Sequence, residues 1–379
     1  FVHQDQVATH VWYVQPSKGP KEVGAFVNVS GSDFASRSAA LNYMYCRFNM
    51  PAVPAVLISL IELHCISPQH VTGTVSVEVT LNNQQYTADG VQYEYEDVNV
   101  GSIYPVSGPV FGGTEVELLG LDMHTPDSGD LYCKFGSREP VRAVYEGAHL
   151  VTCTSPSYSS ASVVSVHIFN NDAVYGKPVA FYYQVDRVVT AIHPLVGVIS
   201  GGTVLEVHGT DFVDMPTAFC KFALSSGDAV VLAKYVSSTR LECITPVAGS
   251  AEADVVVEVT MNDQNYSDDG FLYEYQVAAH VLYVQPSKGP KEGGAFVNVS
   301  GSDFASRSAA LNYMYCRFNM TAVPAVLVSL IELHCISPQH MTGTVSVEVS
   351  LNDQQYTADG VQYEYEDVNV GSIYPVSGP

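Results

Sequence analysis

The sequence predicts an all-β chain built from tandem two-sheet sandwiches, and three observations predict it. Short segments alternate between apolar and polar residues at the two-residue period of a strand. Anchor prolines Pro16, Pro105, Pro194, Pro286 and Pro375 recur at intervals of 89, 89, 92 and 89 residues. Each interval also carries one pair of cysteines. A chain of 379 residues is too long for one sandwich and suits several modules, each with its own core.

The repeat exists on two scales. Residues 10–109 and 280–379 match at 93 of 100 positions, with Trp12/Leu282, Val23/Gly293 and Pro51/Thr321 among the exceptions. Three unlike modules therefore make one super-repeat of 270 residues, and the fourth module is a near-copy of the first. The expected boundaries are 9–97, 98–186, 187–277 and 278–367. Residues 1–8 read as the closing strand of a preceding module and 368–379 as the opening strand of a following one, so the parent polypeptide is expected to continue in both directions.

Within a module the elements follow in a fixed order. After the anchor proline comes a glycine turn, as in Gly108–Gly113 or Gly197–Gly202, and then an alternating strand. In that strand Val27 and Val29, Val116 and Leu118, or Leu205 and Val207 point inward while neighbours such as Glu115 and Glu117 face water. Thr74–Thr80 and Asp254–Thr260 alternate again, turns rich in Asn, Asp and Gly follow, and a tyrosine-rich strand closes the module at Tyr93/Tyr95, Tyr182/Tyr183, Tyr273/Tyr275 and Tyr363/Tyr365. No segment sustains a helical period. Nor is there a Pro/Gly/Ser-rich spacer between modules, so a stiff, rod-like array is expected.

Composition narrows the function. With 39 acidic against 16 basic residues the net charge is −23, which argues against nucleic acid and against an anionic membrane surface. No apolar stretch is long enough to span a bilayer. There is no nucleophile elbow, phosphate loop or zinc-protease helix, and no catalytic site is expected. Carboxylates in the Asn-Asp…Asp-Gly loops, such as Asn352–Gly360, are oxygen donors of the kind calcium takes. The same residues suit a plain hairpin turn, which is the preferred reading, and no cofactor is expected.

All eight cysteines fall into pairs, one per module: Cys46/Cys65, Cys133/Cys153, Cys220/Cys243 and Cys316/Cys335. Zinc ligation is the competing reading, but the third module has no histidine matching His64 or His149 and no knuckle spacing exists. Disulfides would each stabilise a module by roughly 3 kcal/mol and imply an oxidising compartment. Sequons at Asn28, Asn265, Asn298 and Asn319 point to the same extracellular location, whereas Pro51 removes the sequon at Asn49.

The Ile-x-Pro anchor, the Gly-Gly-Thr turn, Gly209-Thr-Asp211-Phe212, the motifs Cys133-Lys-Phe135 and Cys243-Ile-Thr-Pro246, and the closing aromatic strand together resemble IPT/TIG domains. Such modules are similar to those of plexins, the hepatocyte growth factor receptor and fibrocystin-like proteins. The resemblance covers essentially the whole chain and implies immunoglobulin-like sandwiches of the E-set kind that space and bind rather than catalyse. Val23 in place of the first turn glycine and Met123 in place of phenylalanine depart from the pattern.

Two functions remain. Near-identical super-repeats suit a self-associating subunit of an extracellular filament or surface appendage, such as a hair, sheath or mastigoneme-like fibre. The alternative is a rigid stalk or ligand-binding ectodomain of a cell-surface receptor or adhesin, with other cell-surface or matrix proteins as partners. Exposed edge strands and tyrosine-rich surfaces are the expected contact elements.

Overall fold

A computed structural model describes residues 8–21, 24–34, 36–40, 42–97, 99–121, 131–170 and 173–367. The segments expected to belong to flanking modules, 1–7 and 368–379, lie outside the described residues, as do Val23 and Met123. Two compact units divide the chain at residue 186, the first holding modules one and two and the second modules three and four.

In the first module β1 (His10–Gln15) pairs antiparallel with β3 (Phe26–Ser32). Pro16 follows, after a cis peptide bond, and lacks the N–H that would continue the ladder. The chain then enters β2 (Lys18–Pro20), which pairs in parallel with β8 (Gln92–Glu96) in the other sheet. Between them run α1 (Ser36–Ala40), β4 (Tyr45–Phe48), β5 (Ala52–Ser59), β6 (Glu62–Ile66) and β7 (Gly73–Thr80). The strand order is β1-β3-β6-β5-β4-β7-β8-β2, with β5 shared between the two faces of the sandwich. In the fourth module the counterpart of β5 breaks into Thr321–Pro324 and Val326–Ser329, and the sheets separate into four and five strands.

The alternation read from sequence becomes the core. Val27, Val29, Val116, Leu118, Leu205 and Val207 are fully buried. Each disulfide joins the sheets inside this core: Cys46 on β4 is bonded to Cys65 on β6, and Cys133–Cys153, Cys220–Cys243 and Cys316–Cys335 repeat the link.

The tyrosines of the closing strands are core residues, not contact surfaces. Tyr93, Tyr95, Tyr273, Tyr275, Tyr363 and Tyr365 are all fully buried. Because the strand alternates, only residues two apart share a face. In the second module the inward pair is accordingly Phe181 and Tyr183, and Tyr182 points out. Burial pushes the Tyr273 phenol up to about 12. The glycine after each anchor proline makes room for this ring: a Cβ on Gly19, Gly197 or Gly289 would lie 1.9 Å from the hydroxyl oxygen of Tyr93, Tyr273 or Tyr363. At the turn Gly293 has φ +76°, and a Cβ there would meet backbone at 2.7 Å, so the position demands glycine.

Two helical turns, α1 and its counterpart Ser306–Ala310, were not expected. Asp33 and Asp303 turn the chain off the strand at φ 60° and 61°, Phe34 and Phe304 plug the core, and a Ser-Arg-Ser-Ala-Ala segment then coils once. Five residues are too few to show a period.

Candidate functional site

Strands of successive modules are separated by very little chain. Only residues 97–98 lie between β8 and the next strand, Asn99–Tyr104, and only 277–279 lie between Phe271–Gln276 and His280–Gln285. With so short a connection, the closing end of the third module meets the opening end of the fourth, and three sets of contacts form there.

The first set comes from the turn that follows Gly343–Ser350. Asn352 organises it, its side-chain oxygen accepting the backbone N–H groups of Gln354 and Gln355, both at 3.1 Å. The turn then presents two glutamines to the third module. Gln354 accepts the Val204 N–H at 2.8 Å and donates to the Val204 carbonyl at 2.9 Å, reading one residue's backbone at both ends. Gln355 accepts the Thr203 hydroxyl at 3.1 Å. Arg317 supports the turn from behind, paired with Glu348 and stacked 3.9 Å over Tyr356, whose phenol donates to Asp353 at 2.7 Å.

The second set comes from the helical turn. Ser308 donates to the Gln276 side chain at 2.8 Å, and Arg307 pairs with Glu274 at 3.1 Å. In the third, the Tyr313 ring meets His193 edge-on, with 3.1 Å between hydroxyl and Nδ1. Beside these contacts lies a cleft of about 280 Å³ between Val198 and Ser200 on one side and Leu351, Gln355 and Tyr356 on the other.

The same loops were candidates for calcium. Their carboxylates are taken up by protein donors: Asp353 accepts the Tyr356 hydroxyl, and Asp359 accepts His280 Nδ1 at 2.9 Å and the Val281 N–H at 2.8 Å. That carboxylate raises the His280 imidazole above its ordinary value. Among the described residues no three acidic, histidine or cysteine side chains converge as metal ligands.

The sequons occupy unlike surroundings. Asn319 is exposed at a hairpin turn with φ 58°. Asn265 is half-buried and holds the Asn262 side chain at 2.8 Å. Asn28 and Asn298 lie in mid-sheet with their side-chain oxygens buried.

One apolar surface stands free of the junction. Val326, Val328, Leu330 and Ile331, at the edge of the four-stranded sheet of the fourth module, are all exposed, as are Val56, Ile58, Leu60 and Ile61 in the first. Sequence reasoning named edge strands as contact elements, and this is where one lies. It did not find the junction, whose glutamines and serine carry no pattern of their own.

The IPT/TIG domain model matches residues 13–95, 99–183, 188–275 and 280–365. Plexin-A2 of Homo sapiens is 24% identical over 372 residues, covering 90% of this chain and 19% of that protein. Fibrocystin-L of Mus musculus is 24% identical over 303 residues, with coverage of 78% and 7%. Plexin-2 of Caenorhabditis briggsae is 24% identical over 248 residues, with coverage of 61% and 13%. The chain therefore spans a small part of the length of these relatives. Among solved structures, the Plexin A4 full extracellular region, domains 1 to 10, aligns with 95% of this chain and 41% of its own at 12% identity and a TM-score of 0.33.

Proposed function

The chain belongs to the IPT/TIG domain family, and from that membership we propose that it is a non-catalytic extracellular segment that spaces and orients parts of a cell-surface protein, as a stalk or receptor ectodomain. The observation that carries this reading is the junction of the third and fourth modules, where a short connection and side chains from three elements hold one sandwich against the next. A flexible tether needs neither. Four disulfides fit an oxidising location. The exposed apolar edge in the first and fourth modules offers a place for another cell-surface or matrix protein to bind, and exposed Asn319 is the best-placed glycan acceptor.

The plexin and fibrocystin-L relatives favour the ectodomain over the filament expected from sequence. Copy fidelity is what favours the filament, and recent duplication alone produces that fidelity. Light scattering on the purified chain at high concentration, with and without calcium, separates the two. A stalk stays monomeric; lateral or end-to-end growth would reinstate the fibre.

A further inference from the structure

The outer sheet faces of the modules are not alike. In the first module a row of outward side chains crosses the sheet from Gln15 through Asn28 and His64 to Val56, and in the fourth the row is Gln285, Asn298, His334 and Val326. Around each row the surface is apolar. Phe296, Val326, Val328 and Ile336 are all exposed, and the Phe296 ring meets His334 edge-on at 4.4 Å, as Phe26 meets His64. The third module fills the same row with Glu206, Glu242 and Lys234, joined by ion pairs with one another and with Arg240, and the second has Glu117 in place of the asparagine. A charged face holds water, whereas an apolar one of this extent calls for cover.

The asparagine inside each apolar row is a glycan acceptor, in Asn28-Val-Ser30 and Asn298-Val-Ser300, and neither charged row has one. Its amide is turned the right way. The side-chain oxygen is buried and has no hydrogen-bond partner, so the nitrogen, the atom that bonds to sugar, is the end left at the surface. Neighbouring strands stand about 5 Å apart and residues two along a strand about 7 Å, which puts Phe296, His334 and Val326 within reach of the first sugars. A pyranose ring packs its C–H face flat on aromatic and aliphatic side chains while its hydroxyls stay in water.

We propose that an N-linked glycan rooted at Asn298, and its counterpart at Asn28, lies down across its own sheet and covers the apolar face, so that occupancy of the sequon decides whether that face is open to a protein partner. The glycan is the occupant because its root stands inside the patch. In the transfer the Asn298 amide nitrogen bonds to the anomeric carbon of a lipid-linked oligosaccharide, the bond from that carbon to the lipid pyrophosphate breaks, and the nitrogen gives up one proton as the pyrophosphate leaves. The inference adds regulation to the proposed binding role and rests on the extracellular reading, since the transfer belongs to the secretory pathway.

The test uses the full chain expressed through a eukaryotic secretory pathway. Glycopeptide mass spectrometry should find glycan at both positions, told apart by Val23 and Gly293 in otherwise identical tryptic peptides. Hydroxyl-radical footprinting, with glycans removed after labelling, then compares the folded chain with Ser300→Ala, which keeps Asn298 and loses the sugar. Labelling at Phe296 and His334 should be about threefold higher in the variant, in proportion to the area uncovered. Ile244 is the reference, since it holds the position of Ile336 in the third module and is 54% exposed against 50%; its labelling should not change. Trimming the glycan on the folded protein with an endoglycosidase makes the same comparison without a substitution, and should raise labelling at Val326, beyond the one sugar that remains. Asn298 found bare in a chain that carries glycan at Asn319 overturns the proposal alone, whereas all four sequons bare would count against the extracellular reading as well. The proposal is also overturned if Phe296 and His334 label equally with and without the glycan, or if Ile244 changes as much as they do.

Discussion

The first and fourth modules are nearly one sequence in two environments. At their centres the cores coincide: Val27/Val297, Val29/Val299, Phe48/Phe318, Tyr93/Tyr363 and Tyr95/Tyr365 are all fully buried. Their opening ends do not, because the fourth has the third module against it and Asn352 is covered where Asn82 is open. The inward-facing pattern survives the change of surroundings, and the differences between the copies fall at one turn, one helical turn, one tyrosine and β5, whose counterpart in the fourth module is broken in two.

The strongest way to break that comparison is at the core. Tyr363→Ala and Tyr93→Ala each remove a fully buried ring and should each cost about 4 kcal/mol in urea unfolding. A large difference between the two would mean that module context reaches the core after all. At the junction the effects are smaller and should be unequal. Gln354→Ala with Gln355→Ala removes three hydrogen bonds to the third module and should cost the second unit about 1–2 kcal/mol. Gln84→Ala with Gln85→Ala in the first module should cost close to nothing, and equal losses would show that these side chains act within their own turn.

The smallest effect in energy separates the copies chemically. Asn319 carries an intact sequon on an exposed turn, whereas Pro51 removes the sequon at Asn49. Glycopeptide mass spectrometry of the chain expressed through a eukaryotic secretory pathway should find a glycan at Asn319 and none at Asn49. An unmodified Asn319 would remove it from the proposed acceptors.

Much of the fold was legible because its signals are local and repeated. Alternation at Val116 and Leu118 marks a strand whatever surrounds it, and a proline every ninety residues or so marks the switch between sheets, since the missing N–H ends any ladder. The tyrosines were misplaced because a phenol is apolar along its ring and polar at its tip, so sequence allows it either side of a sheet. Closing-strand phase decides, and in the second module the adjacent Phe181, Tyr182 and Tyr183 hide that phase. The helical turns escaped notice because five residues, four of them small, between strands look like any loop.

The sequence by itself determined that the chain is all-β, that it repeats, that its cysteines fall one pair to a module, and which apolar residues face inward, because each of these follows from period, spacing or covalent chemistry within a module. Tertiary structure alone decided which polar residues meet. Gln354 and Val204 are 150 residues apart in number and 2.8 Å apart in space. An amide side chain carries no mark of its partner, so only the packing of one module's end on the next gives it a role.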